Sequence, residues 1–213
     1  GDNFSPVCVY KGARVIERAV KKLRENNFKK IFVIARQNVL TAIFNILKDG
    51  ADYGAEIVYV EEKSSKGTAD SLRLVKGKVN ERSLVVYSDI IFDSIDVEDV
   101  WKSHSLTSAV ATLTVVTSPT PSVKGNVVMK GTKIIDFIQK PKISDTNMVC
   151  SPIFVIEPEL FDQVGHSLET EVFPKLASCM GDDPWIVHGQ SSSRGFMFEA
   201  RFDRYPLLKF ATQ

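Results

Sequence analysis

What is missing from the chain narrows its chemistry before any motif is read. No apolar run approaches the roughly 20 residues of a bilayer-crossing helix. No charged-then-apolar leader precedes the first helical pattern either, so no membrane partner is expected. There are three cysteines in 213 residues, Cys8, Cys150 and Cys179, too scattered for a disulfide framework or a metal-ligand spacing. Each reads as an apolar filler, and a reducing, cytoplasmic location is expected. The three histidines, His104, His166 and His188, are equally scattered, so neither a histidine metal cluster nor a triad partner is expected. Charge of one sign is also lacking. The formal balance is +1 and the basic residues form no run, which gives no reason to expect nucleic acid. Internal repeats and low-complexity tracts are absent. Gly1 to Pro6 reads as a loop rather than a beginning, so further sequence upstream is expected.

A chain that is 44% hydrophobic and 25% charged can bury the core of one large α/β domain. Val15, Ile16, Ala19, Val20 and Leu23 recur at helical spacing with Glu17, Arg18, Lys21 and Lys22 opposite, which predicts an amphipathic helix over 13–26. Ile31 to Ala35 reads as a fully buried strand. A second helix carries Val39, Leu40, Ile43, Phe44 and Leu47 and stops at Asp49-Gly50, and 56–60 is the next strand. Helix 67–76, strand 83–88, helix 97–104 and strand 109–116 continue the alternation, which predicts a mostly parallel sheet with helices on both faces. Beyond the loop 118–122, segments 125–129 and 133–138 read as a hairpin closed by Lys140-Pro141. Residues 148–156 form a strand interrupted by Pro152, Pro158 opens a short helix, and Ser167 caps a helix running to about Met180. Residues 185–188 and 196–200 are strand candidates, and Leu207, Leu208 and Phe210 are assigned to a last helix. The whole, 1–213, reads as one domain in two halves, 1–117 and 118–213.

The most informative segment is Lys66-Gly67-Thr68-Ala69-Asp70-Ser71-Leu72, followed by an apolar strand, Ser83 to Tyr87, that ends on Ser88-Asp89. Gly67 allows close backbone approach to a planar base. Thr68 offers a hydroxyl and an N–H at the mouth of a helix. Asp89 leaves a buried strand where open α/β sheets gather ligand groups, and one carboxylate there can hold a magnesium ion against phosphates. On this reading Lys66, Gly67, Thr68 and Ser88 form a nucleotide site and Asp89 carries the metal. Simpler roles stand beside these: Asp89 as a turn cap, Gly67 as a turn glycine, Lys140 as a solvated loop lysine, and Asp70 as a favourable acid in a first helical turn. Trp101 and Trp185 read as packing residues, and Ser191 to Gly195, with Arg194, as a flexible loop.

The order of these parts resembles the sugar-1-phosphate nucleotidylyltransferases, and the likeness spans most of the chain. Lys11-Gly12-Ala13-Arg14 resembles the family's helix-opening turn, Gly67-Thr68-Ala69 its base loop and Ser88-Asp89 its metal aspartate. Gly125-Asn126-Val127-Val128 is similar to the family hairpin, Gln139-Lys140-Pro141 to the substrate lysine turn, and Ser151-Pro152-Ile153-Phe154 to the Ala-Gly-Ile-Tyr strand. The resemblance implies a Rossmann-like, glycosyltransferase-A-like nucleotidyltransferase fold, with a nucleotide-binding first half and a sugar-phosphate-binding second half. It implies an enzyme that joins a nucleoside triphosphate and a sugar 1-phosphate, with Mg2+ on Asp89, to give a nucleotide sugar and pyrophosphate. Lys140 would then be catalytic, holding the attacking phosphate, with Gly125, Gln139 and Ser151 on the substrate side; homo-oligomerisation stays open.

Departures are equally specific. The family's glycine-rich loop and first strand have no counterpart before Gly1, although a central strand cannot be deleted from such a sheet without leaving a buried gap. Pro6-Val7-Cys8-Val9 lacks the lysine of the Pro-Lys element, and Phe198-Glu199-Ala200-Arg201 replaces the late Trp-x-Asp, leaving Glu199 or Asp203 to supply a second metal carboxylate. A non-catalytic relative, like the nucleotidyltransferase-like domain in the gamma subunit of the translation-initiation exchange factor, fits these losses. A cytidylyltransferase for a small alcohol phosphate is a third reading.

Overall fold

Five consecutive apolar side chains, Ile31 to Ala35, leave no solvent-facing side, and they form the buried strand β3 (Lys30–Ala35). A computed structural model describes residues 6–178, 187–191 and 205–209. Before β3 come a two-stranded ribbon, β1 (Val9–Tyr10) and β2 (Ala13–Arg14), and helix α1 (Val15–Glu25). After it come α2 (Gln37–Leu47), β4 (Glu56–Glu61), α3 (Thr68–Arg73), β5 (Ser83–Tyr87), α4 (Val97–Ser105) and β6 (Ala111–Thr117). The hairpin β7 (Gly125–Lys130) and β8 (Lys133–Gln139) is followed by β9 (Met148–Ile156), a π-helical turn (Leu168–Val172) and α5 (Phe173–Ser178). Two further strands are β10 (Val187–Ser191) and β11 (Tyr205–Lys209).

Alternation along the central strands sends side chains to two cores. Phe32, Ile34 and Val85 join one with α3 and α5, while Ile31, Val33, Leu84 and Val86 join the other with α1, α2 and α4. Burial on both faces is why these strands read as unbroken apolar runs. The nine-stranded sheet has the order β4-β3-β11-β5-β9-β6-β10-β8-β7. Strands β4, β3, β11 and β5 are mutually parallel, and β9 lies antiparallel between β5 and β6. A further bridge, Asn126 with Val149, joins β7 back to β9, so β9, β6, β10, β8 and β7 close into a ring.

The mixed architecture agrees with the sequence reading, with several corrections. The first helix begins at Val15 rather than residue 13, because Ala13 and Arg14 pair in the β1–β2 ribbon. Helix α3 ends at Arg73, short of residue 76. Pro152 does not interrupt β9. The β6–β9 register shifts between Leu113 and Val115, so the imino residue sits in an irregular part of the ladder where its missing N–H costs no bond. The helix after Ser167 starts as a π turn, with the Ser167 hydroxyl accepting from Thr170 N–H at 3.2 Å. The last segment is a strand, not a helix. Tyr205–Lys209 lies between β3 and β5 and fills the slot between those parallel strands. Residues 196–200, Cys179, Trp185, Arg194, Glu199 and Asp203 lie outside the described residues.

One polar network ties the end of β9 to α4. Glu157 accepts from Arg82 Nε at 2.7 Å, and His104 bridges Glu157 (3.1 Å) and Thr112 (2.8 Å) through its two ring nitrogens. Burial alone raises the Glu157 carboxyl, but bonds from His104 and Arg82 and their charge hold it below its ordinary value. A carboxyl depressed in the fold stabilises above its unfolded value of 4.5, and that share is lost as pH falls through the lower folded value. Glu157→Gln should therefore cost about 1–2 kcal/mol at neutral pH. Melting curves between about pH 5 and pH 3 should fall less steeply for the variant than for the parent.

Candidate active site

The carboxyl end of β5 and the amino half of β9 meet because those strands run in opposite directions, and a cleft of about 530 Å³ opens there. Tyr87 and Asp89 line one wall, with Ile90, Ile91 and Ile95 from the loop that follows. Val149 to Pro152 form the floor, Gly125, Phe137, Gln139 and Lys140 of the hairpin the opposite wall, and Glu169 and Phe173 the back. Asp89, Gly125, Gln139, Lys140 and Ser151, read separately from the sequence, are thus brought to one site.

Asp89 is half-buried, and burial pushes its carboxyl above the ordinary value. No ion-pair partner faces it among the described residues. Across the cleft, Lys140 is exposed and adopts a left-handed φ of +48° immediately before Pro141. This conformation, costly for a residue with a Cβ, is held by its N–H donating to the Lys124 carbonyl at 2.9 Å. Lys124 also lines the cleft, so two lysines share its lining with the acid. Gly125 is required by space: a Cβ there would lie 2.7 Å from the Phe137 ring and 2.8 Å from Gln139 Oε1. Gln139 Oε1 is itself buried without a partner among the described residues.

The Gly67 loop lies elsewhere. Lys66, Gly67 and Thr68 do not line the cleft. Ala69 N–H and Asp70 N–H both donate to the His166 carbonyl, at 2.9 and 3.2 Å, so these two amides at the mouth of α3 are already used. Gly67 is extended, with φ 177°, and its role is clearance, since a Cβ would meet the His166 oxygen at 2.6 Å. The Thr68 hydroxyl donates to Glu169 Oε2 at 2.5 Å and accepts from Leu168 N–H at 2.7 Å. Lys66 is exposed, with its N–H on Asp70 at 3.0 Å. Ser88 is fully buried, its hydroxyl unpartnered among the described residues. Asp70 does more than favour a helical turn. It binds Arg73 and His166, whose bonds and charge, with the Lys66 N–H, hold its carboxyl below the ordinary value against the opposing effect of burial.

Glu169 also lines the cleft, and no local sequence pattern singled it out. Its Oε1 accepts from the Tyr87 hydroxyl, and its Oε2 from Thr68 and, at 3.2 Å, Ser167. Burial, reinforced by the Glu169 charge, raises both the Tyr87 phenol and the Cys150 thiol well above their ordinary values. No group of three His, Cys, Asp or Glu side chains could hold a metal among the described residues. No described helix is long and apolar enough to cross a membrane.

The cleft thus opens beside the carboxyl ends of the parallel strands, where β9 runs against its neighbours. The family model described as "Nucleotidyl transferase" matches residues 5–177, and the chain belongs to that family. It is 34% identical over 123 residues to a Sulfolobus acidocaldarius protein provisionally named a mannose-1-phosphate guanyltransferase, covering 56% of this chain and 34% of that one. Mannose-1-phosphate guanylyltransferase 1 of Arabidopsis thaliana is 28% identical over 206 residues, covering 89% of this chain and 57% of the relative. In fold the chain is similar to a Bacillus anthracis protein provisionally called a glucose-1-phosphate thymidylyltransferase, crystallised with a sucrose. That likeness has a TM-score of 0.70 at 21% identity and covers 74% of this chain and 64% of that one. The chain thus spans between 34% and 57% of the length of these two curated relatives.

The raised Asp89 carboxyl gives a signed expectation. The fold holds its proton more tightly than the unfolded chain, so ionisation destabilises as pH rises above 3.8 and through the higher folded value. Asp89→Asn, neutral and nearly isosteric, should raise the neutral-pH melting point by about 2–4 °C, the span that about 1 kcal/mol covers at this size. A drop of several degrees instead would mark Asp89 as a structural turn cap. Gly67→Ala should lower stability by about 1–3 kcal/mol, as overpacking against a fixed backbone oxygen does. Denaturant unfolding of the variant measures this directly.

Proposed function

We propose that the chain is a nucleotidyltransferase that joins a nucleoside triphosphate to a sugar 1-phosphate and releases pyrophosphate. The observation that carries the reading is the division of charge in one cleft, with Asp89 on the β5 side and Lys124 and Lys140 on the hairpin side. A sugar-phosphate oxygen attacks the α-phosphorus in line. One P–O bond forms, the bond to the β-phosphate breaks, and pyrophosphate leaves without a covalent enzyme intermediate. What such a reaction needs from protein is positioning and charge neutralisation. Lys140, fixed by its left-handed backbone, and Lys124 beside it supply cations to the attacking phosphate. Ile90, Ile91 and Phe137 give the cleft apolar lining beside these charges.

Asp89 fits a magnesium ion. A half-buried carboxylate without a described counter-charge gains from a dication, and Mg2+ commonly takes only one or two protein carboxylates, filling its shell with water and substrate phosphates. Held there, the ion would supply neutralisation of the phosphate charge. The relatives' names make mannose 1-phosphate with GTP the first pair to assay. A binding protein without turnover is the second reading, and the occupied amides of α3 favour it.

A pyrophosphate-release assay over the four triphosphates and a panel of hexose 1-phosphates, with Mg2+, decides between them. Turnover by one pair is expected. Lys140→Ala should raise the apparent KM for the sugar phosphate by about tenfold or more and lower kcat, with triphosphate binding nearly unchanged. Equal weakening of both ligands would overturn the division of the cleft. Binding of ligands without pyrophosphate release would establish the second reading.

A further inference from the structure

Glu169 is an anion kept at the back of the cleft with no Lys, Arg or His as an ion-pair partner among the described residues. Neutral hydroxyls hold it instead, Tyr87 on one oxygen and Thr68 and Ser167 on the other. A carboxylate offers about four acceptor sites, so three hydroxyl donors fix its plane and leave acceptor capacity on Oε1. The donors come from separate elements: Tyr87 ends β5, Thr68 opens α3, and Ser167 caps the π turn. Thr68 is itself aimed by Leu168 N–H at 2.7 Å, and the close seat of Gly67 on the His166 carbonyl sets the distance between α3 and the turn.

Resting on the reading above, we propose that Glu169 accepts a hydroxyl of the sugar ring and that Thr68 and Tyr87 are its positioning residues. The ligand class is a polyhydroxylated sugar phosphate whose phosphate faces Lys124 and Lys140 while a ring hydroxyl donates to Glu169. This reassigns Thr68 from the nucleotide to the sugar. A site built to accept from a substrate hydroxyl rejects an analogue lacking that hydroxyl far more strongly than an apolar pocket rejects a missing methylene, because the buried acceptor is left unpaired.

Calorimetry and steady-state kinetics on the parent, Glu169→Gln, Thr68→Val, Thr68→Ser and Tyr87→Phe test this, with the best sugar phosphate and its singly deoxygenated analogues. Thr68→Val and Glu169→Gln should weaken sugar-phosphate binding by about tenfold or more, leave the triphosphate KM within about twofold, and be matched by rescue in Thr68→Ser. One deoxy analogue should bind the parent about tenfold more weakly, and that penalty should vanish in Glu169→Gln, as coupling between two directly paired groups requires. Weakened triphosphate binding in Thr68→Val, or a changed Mg2+ requirement in Glu169→Gln, would overturn the assignment in favour of a nucleotide or metal role. Parent binding with an undiminished deoxy penalty in Glu169→Gln would overturn it as well. Absence of any sugar-phosphate binding by the parent would remove the functional reading itself.

Discussion

The cleft exists because β9 runs against the strands on either side of it. Were β9 parallel to β5 and β6, its Cys150–Ser151 segment would lie at the far end of the sheet from Asp89. Its antiparallel ladders with both neighbours bring the start of one strand beside the end of another, and side chains from both halves of the chain converge. The reversal is tolerated because Ile153 and Val155 feed one core while Phe154 and Ile156 feed the other. The same alternation operates in β3 and β5, so one strand can reverse direction without breaking either layer.

Electrostatics in the cleft follow from how each charge is solvated. Lys140 keeps its head in water, whereas Asp89 is desolvated without a described counter-charge and Glu169 is solvated by protein hydroxyls. Stable folds seldom leave a carboxylate half-buried and unpaired, since the charged form is the one that burial disfavours. Such groups concentrate at ligand sites, where the missing partner arrives with the substrate. The Glu157 network shows the contrast. There a carboxylate of comparable burial is paired with Arg82 and His104, and its role is to fasten β9 to α4.

Local patterns made the α/β alternation, the hairpin and the polar ends of β5 and β8 legible, because each depends on residues close in sequence. Asp89 and Lys140 were legible for that reason. The use made of Gly67 and Thr68 was not, because it depends on a carbonyl and a carboxylate from a distant turn that no local pattern reports. Glu169 was hidden differently: an acid two places after a capping serine looks like an ordinary first-turn residue, and only Tyr87 and Thr68 distinguish it. Lys124 was passed over as the residue before a motif glycine. Tyr205–Lys209 was misread because five residues containing Pro206 cannot separate strand from helix by periodicity, and the open slot between β3 and β5 decided the matter.

Cys150, on the floor of the cleft, carries a consequence for how the protein meets oxidants. Its thiol is raised well above the ordinary value, by burial first and then by the neighbouring Glu169 carboxylate, which disfavours the thiolate. Peroxide and alkylating reagents attack the thiolate, and reactive cysteines are those in electropositive, accessible surroundings. Burial first, and the charge of the acid at the back of the cleft second, disfavour the thiolate, so the sulfur on the cleft floor is a poor target for such reagents.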